Sequence, residues 1–194
     1  MATAITDLLQ QALNSKPLQQ ISPNTQELDK SAADVTNASK IQQAVIASVL
    51  MGYYKLTRTH EGAAMVINGP REKSWTDILF GDNKEAAIAS IAAYGVSSPA
   101  AAAAETDYAA TETQQLIKQE AASSGELTED GVITYMKGQR NNILPVLPAA
   151  LQLGTLLDDD TLDDHTHKMD GPVSGLMHAI EKAFSGTPPA DEKS

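Results

Sequence analysis

The chain has 194 residues, no cysteine, 4% aromatic residues and a formal net charge of −11. Without cysteine, disulfides, thiolate metal sites and cysteine catalysis are excluded, and the negative charge sets the chain against nucleic acid and anionic lipid. The length suffices to bury a core as one large domain or two small ones, and an alanine-rich, aromatic-poor composition favours closely packed helices over sheet.

The charge is uneven. Residues 1–75 carry 7 Lys/Arg against 6 Asp/Glu, and residues 76–194 carry 7 against 19. No nucleic-acid partner is expected. The first residues, MATAITDLLQQALNSK, lack a basic stretch before an apolar one, so no signal peptide is expected there. The most apolar runs, Ala44–Tyr54 and Ile143–Leu157, fall short of the ~20 residues that span a bilayer.

In chain order, Ile5, Leu8, Leu9, Ala12 and Leu13 recur at helical spacing and predict a first helix ending near Ser15–Pro17. Ser22-Pro23 supplies a cap and a first-turn proline for a short second helix through about Val35. Ile41, Val45, Val49, Tyr53 and Leu56 form a stripe that Ala44, Ile46, Ser48 and Leu50 widen, the pattern of a central helix. A further helix is expected within Thr57–Asn68, closed by Asn68-Gly69-Pro70. Ser74 and Asp77 make a variant capping box for a short helix through Phe80, and Gly81 closes it. Asp82 and Glu85 repeat that pattern before a helix from Asn83 to Tyr94, with Gly95 as terminator. Ser98-Pro99 opens an alanine-rich helix to about Ser124, with a break expected near Thr111, where Thr111 and Gln114 form another capping box. Thr128 caps a helix bearing Val132, Ile133 and Met136.

The stretch from Asn141 to Phe184 organises the rest. Ile143 to Leu157 carries no formal charge and belongs inside, with Pro145 and Pro148 starting, kinking or splitting helices. Asp158 to Asp170 carries six aspartates and must meet water, a metal ion or a basic partner. Asp170-Gly171-Pro172 then opens a helix with Val173, Leu176, Met177, Ile180 and Phe184 on one face, and the tail from Gly186 is expected to be disordered.

DDDTLDDHTHKMD is the one metal-like cluster. Carboxylates suit Ca²⁺, Mg²⁺ or Mn²⁺, and an Asp/His mixture suits Zn²⁺, Mn²⁺ or Fe²⁺. His165 and His167 sit two apart, so in an extended loop their rings point the same way. Of Asp158, Asp159, Asp160, Asp163, Asp164, His165, His167 and Asp170, the set proposed as ligands of a divalent metal is Asp163, Asp164, His165 and His167. No EF-hand fits: a loop from Asp170 has Gly175 sixth and Glu181 twelfth, but Pro172 third. The alternative is a solvated acidic connection whose last aspartate caps the next helix.

Elsewhere no catalytic constellation reaches motif grade. His60-Glu61 lacks a second histidine at helical spacing, and there is no G-x-S-x-G elbow and no glycine-rich phosphate cradle. Ser74, Ser98 and Ser174 read as caps or small helix residues, and His178 as the flank of a buried face. Trp75, near Arg71 and Lys73, reads as a core plug, with a ligand contact as the alternative.

The run Leu147-Pro148…Leu151…Gly154…Leu157, with the Asp-rich link and Met169-Asp170-Gly171-Pro172-Val173-Ser174-Gly175-Leu176, resembles a bacterial family of all-helical proteins carrying a domain of unknown function, the YidB-like proteins. Leu127-Thr128-Glu129-Asp130-Gly131-Val132 resembles the segment that begins a helix before that family's leucine- and proline-containing helix. The likeness covers roughly the last 70 residues and implies a bacterial helical bundle; the family brings no active-site residue to carry over.

The expected architecture is therefore all-α, a multi-helix bundle of about eight to ten helices, with one domain over 1–185 and a tail over 186–194. Val49–Gly52 with Trp75–Gly81, and Leu147–Gly154 with Leu176–Gly186, share a loose pattern about 100 residues apart. This reads as a two-fold repeat of halves 1–95 and 96–185, or as chance likeness among Ala/Leu helices. The functional expectation is a cytoplasmic, non-enzymatic interaction or scaffolding module, with a homo-oligomer or a protein partner. The alternative is a divalent-metal or small-molecule binder with its site in the acidic loop 158–170.

Overall fold

A helix so apolar that it must be covered on most sides sets the plan. In the computed structural model, which describes residues 3–21, 36–123 and 125–157, that helix is α2, Asn37–Leu56. The chain divides into two compact units, Met1–Leu162 and Asp163–Ser194, and every described residue belongs to the first. The structure is mostly helical, and no strand forms among the described residues.

α2 buries twelve of its 20 residues, including the expected Ile41, Val45, Val49 and Tyr53 and the flanking Ile46, Leu50 and Met51. Thr36 caps it by accepting the Ser39 amide at 3.2 Å. Before it, α1 (Ile5–Ala12) buries Ile5, Thr6 and Leu9. α3 (His60–Asn68) is capped by Thr59, which accepts the Gly62 amide, and ends at Gly69 with φ 79°. Gly62 lies against the α2 terminus so closely that a Cβ would fall 1.8 Å from the Leu56 carbonyl oxygen. α4 (Trp75–Phe80) carries the expected reciprocal box: Ser74 Oγ accepts the Asp77 amide at 3.2 Å, and Asp77 Oδ2 accepts the Ser74 amide at 3.1 Å.

α5 (Lys84–Gly95), α6 (Pro99–Ala122) and α7 (Glu129–Ile143) follow. Ser98 caps α6 and Thr128 caps α7, each accepting the amide three residues on. Pro145 and Pro148 split the apolar run into two 3-10 turns, Leu144–Val146 and Ala149–Leu151, ahead of α8 (Leu153–Leu156). α5, α6, α7, α4 and α1 all pack on α2, while α3 packs on α6 and α7.

Three local expectations need correction. α6 runs unbroken through Thr111, whose hydroxyl donates to the Asp107 carbonyl at 2.9 Å instead of starting a new helix. Asp82 does not cap α5; a 3-10 turn, Gly81–Asn83, runs directly into a helix that begins without a side-chain cap. Gly95 is not the left-handed terminator. It stays helical, and Val96 takes φ 53° and ψ 52°. The Ser97 amide donates to the Ala92 carbonyl at 2.9 Å, closing a Schellman-type end with valine where glycine is usual. The reason is contact: a Cβ on Gly95 would lie 2.5 Å from Ile41 Cβ and 2.7 Å from Ile41 Cα.

Side-chain amides knit the ends of segments to the body. Buried Gln139 accepts the Ile5 amide at 3.0 Å, and buried Gln114 donates to the Val66 carbonyl at 2.8 Å. Gln43 accepts the Gln19 amide at 2.9 Å and donates to the carbonyls of Gln19 and Val146 at 2.9 and 2.6 Å. Each glutamine stands in for a backbone partner that an isolated segment end lacks. The helix expected over 22–35, the helix and tail after Asp170, and the Leu176–Gly186 part of the repeat lie outside the described residues.

Candidate functional site

The sequence points first to the acidic loop. Asp163, Asp164, His165 and His167 lie outside the described residues, as do His178, Ser174 and Gly175. Among the described residues, no group of three or more His, Asp or Glu side chains is placed to hold a metal ion.

His60, the one described histidine, is exposed at the start of α3. Its Nδ1 lies 3.3 Å from Glu129 Oε2 and its Nε2 3.9 Å from Asp130 Oδ1, so the first turns of α3 and α7 meet through it. With both nitrogens facing carboxylates in open solvent, the group is a surface link of small energetic weight.

Trp75 proves to be a core plug. It is 3% exposed, and its ring centroid lies 5.1 Å from that of Tyr53 at a tilt of 53°, a separation at which aromatic pairs attract. Tyr53 donates its hydroxyl to the Ala110 carbonyl at 2.8 Å. Burial, and then the charge of Asp107, push its phenol well above the ordinary range, so it acts as a fixed donor and not as an acid.

A groove of about 270 Å³ lies between the end of α2 and α7, lined by Tyr54, Thr57, Arg58, Ile133 and Lys137. Its threonine hydroxyl is already committed, since Thr57 Oγ1 donates to the Tyr53 carbonyl at 2.7 Å. Its cations stand beside the C-terminal turn of α2, where positive charge complements the helix dipole. The groove thus has a structural explanation in its own lining.

The surface that lacks such an explanation is the corner between α5 and α6. From Ala86 to Ala104 the chain has no charged residue, in a protein of net charge −11. α5 exposes Ala86, Ala89 and Ala93, one turn apart, and ends on Val96, which is 66% exposed. The chain turns through 104° between Trp75–Gly95 and Pro99–Ala122. α6 then exposes Ala100, Ala101, Ala104, Glu105 and Thr111 around Tyr108, itself 57% exposed. Among the described residues the exposed large apolar side chains are Met65, Val96 and Tyr108, and two of these belong to this corner. The α6 face is the one its alanine content leads one to expect. The α5 stripe has a weaker signal in the sequence, the absence of charge after Glu85. No single described helix is long and apolar enough to cross a membrane.

Set against known family models, curated proteins and solved structures, the chain matches none of them.

Proposed function

We propose that this chain is a non-enzymatic interaction or scaffolding module that meets protein partners, copies of itself among them, through the α5–α6 corner. The observation that carries this reading is the uncharged stretch from Ala86 to Ala104, whose outer alanines are exposed, with Val96 standing out within it and Tyr108 one turn beyond it, next to the exposed Glu105. Interfaces are depleted of charge at their centres and enriched in tyrosine. For a chain this acidic, an uncharged face is also where a second copy approaches against the least repulsion. Small side chains there allow close approach of an opposing helix.

Sedimentation velocity over a range of concentrations tests the reading. The unmodified chain is expected to associate, and Tyr108→Lys or Ala104→Arg is expected to reduce association at least tenfold at unchanged melting temperature. A chain that stays monomeric at high concentration and retains no protein in a pull-down ends it.

The wider reading has four further parts, each resting on the sequence. Over its 194 residues the chain is expected to have eight to ten helices, counting those expected at 22–35 and after Asp170, with a loose two-fold repeat, or chance likeness among Ala/Leu helices, relating its halves. It is a bacterial, cytoplasmic protein. Its C-terminal part is YidB-like. Finally, the alternative function is divalent-metal binding by Asp163, Asp164, His165 and His167. Elemental analysis of the purified protein, then calorimetric titration with Zn²⁺, Mn²⁺ and Ca²⁺, decides that last part. A stoichiometric site that His165→Ala and His167→Ala abolish supports it, and no binding tighter than about 100 µM, roughly −5.5 kcal/mol, removes it.

A further inference from the structure

Residues 3–21 are attached to the rest of the molecule in an unusual way. Of these residues only Ile5, Thr6 and Leu9 are buried, with Leu13 and Leu18 partly buried against the core, whereas α2 buries twelve of 20. Among the described residues, five hydrogen bonds tie the segment to the body. Four use the side chains of Gln139 and Gln43, which engage the backbone of Thr3, Ile5 and Gln19. The fifth runs from the Ile21 amide to the Pro145 carbonyl at 2.7 Å.

Within itself the segment is well knit. Asn14, at φ 48°, turns the chain after α1, and the Ser15 amide donates to the Gln10 carbonyl at 2.9 Å. Gln10 Oε1 then accepts the Leu18 amide at 2.7 Å, fixing the extended stretch to the helix. α1 lies against α6, with α2 and α7 alongside, and inserts the fully buried Ile5 and Leu9 four residues apart. This is how an amphipathic peptide docks in a helix groove.

We propose that residues 3–21 form a detachable strap, a preassembled unit that opens from the body in one piece and docks in the same way on a second copy of this chain. Local opening follows from the ratio of internal to external ties, because segments with few buried apolar contacts open well below the global unfolding free energy. The second copy is the occupant because the strap is the one segment whose fit to this surface is displayed. Exchanging an identical element between copies is also a low-cost route to a dimer. The inference concerns a surface other than the α5–α6 corner and stands independently of it.

Hydrogen exchange on the unmodified protein is the first test. The amides of α1 are expected to exchange at least 100-fold faster than those at the centre of α2, with little dependence on denaturant. Equal rates with equal denaturant dependence overturn the proposal. The second test titrates a fluorescent peptide of residues 3–21 into the full-length chain carrying Leu9→Asp, whose own strap is dislodged. Saturable binding, lost when the peptide carries the same change, supports the proposal. Absence of binding while α2 remains protected overturns it, and so does loss of α2 protection in Leu9→Asp, which would make the strap an integral part of the core. Tyr108→Lys is expected to leave peptide binding unchanged, separating this result from the behaviour of the α5–α6 corner.

Discussion

α2 and α5 are both helices with almost no charge along their middle turns, yet α2 buries twelve of 20 residues and α5 only five of 12. The difference lies in side-chain size around the helix. α2 carries Ile41, Val45, Ile46, Val49, Leu50, Met51 and Tyr53 on all sides, and each is buried. α5 puts Ile88 and Ile91 inward, and after Glu85 its fully exposed positions are alanines, Ala86, Ala89 and Ala93, with Ser90 and Tyr94 partly exposed. Leaving a methyl group in water costs little, whereas leaving a Leu or Ile side chain there forfeits about 1.5–3 kcal/mol. Missing charge therefore does not dictate burial. The size of the uncharged residues does, and alanine leaves a smooth face open to another surface.

The largest expected effect follows directly. Leu50→Ala, at a fully buried position of α2, should destabilise the fold by about 2–5 kcal/mol. Ala93→Ser on the outer turn of α5 should change it by less than about 0.5 kcal/mol. Urea denaturation of the two variants measures the contrast, and equal losses would mean that the outer face of α5 is packed.

Gln43→Ala comes next. It removes the partner of the Gln19 amide and of the Gln19 and Val146 carbonyls together, and buried polar groups left unpaired cost about 1–3 kcal/mol each. A net loss of about 2–3 kcal/mol is expected by the same denaturation assay, since the freed strap residues regain some water. Gln43→Glu tests the geometry: it keeps the acceptor for the Gln19 amide but sets a carboxylate oxygen against the carbonyls of Gln19 and Val146, and at neutral pH should be at least as destabilising as alanine.

Much of the fold is legible in the sequence because its signals are local. The stripe from Ile41 to Tyr53, the box of Ser74 and Asp77, the Ser98-Pro99 start and the Thr128 cap each lie within a few residues of what they organise, and each forms as read. The misreadings arise where a distant contact outvotes a local preference. Gly95 resembles a terminator, but its missing side chain serves the approach of Ile41 from α2, more than fifty residues away in sequence. Thr111 has the residues of a helix start, yet α6 is already held on both sides by α5 and α7. Gln43, Gln114 and Gln139 look like surface residues until their distant backbone partners are known. The candidate surface was half legible. Alanine content marks α6, but the outward direction of the α5 stripe depends on which turns Ile88 and Ile91 bury.

Val96→Gly sharpens the same contrast at the junction of α5 and α6. A β-branched residue in the left-handed region carries about 1–2 kcal/mol of strain, and the exposed Val96 side chain recovers little of it by packing. Glycine relieves the strain but loosens the unfolded chain, an opposing effect of about 0.4–1 kcal/mol. A net gain near 0.5–1 kcal/mol is expected by thermal unfolding. If the α5–α6 corner is the association surface, the same variant should also weaken association, because the surface loses one of its two large apolar side chains. A gain in stability with unchanged association would restrict the interface to α6.

The smallest expected effect is electrostatic and lies at the solvent-facing start of α5. Lys84 Nζ meets Asp77 Oδ1 at 2.8 Å, linking the first residue of α5 to the capping box of α4. The hydrogen bond from Lys84, followed by those from the Ser74 side chain and backbone, lowers the Asp77 pKa from 3.8 to about 2. The folded state thus binds this proton less readily than the unfolded chain does. Stability from this carboxylate is fully present above the unfolded value and drains away as pH falls from near 3.8 through 2. Lys84 is shifted upward by the same hydrogen bond, so its contribution holds below its ordinary value of 10.5 and is lost as pH rises through its folded value. Between these limits, Asp77→Asn should lower the melting temperature by a constant small amount, and the gap to the unmodified protein should close below pH 4. Salt should shrink the gap, because both groups are partly exposed. Carboxyl ¹³C shifts of Asp77 followed from pH 6 to 1.5 give the direct reading. A midpoint near 3.8 would show that Lys84 does not hold the carboxylate in solution, and that the box of Ser74 and Asp77 stands without help from α5.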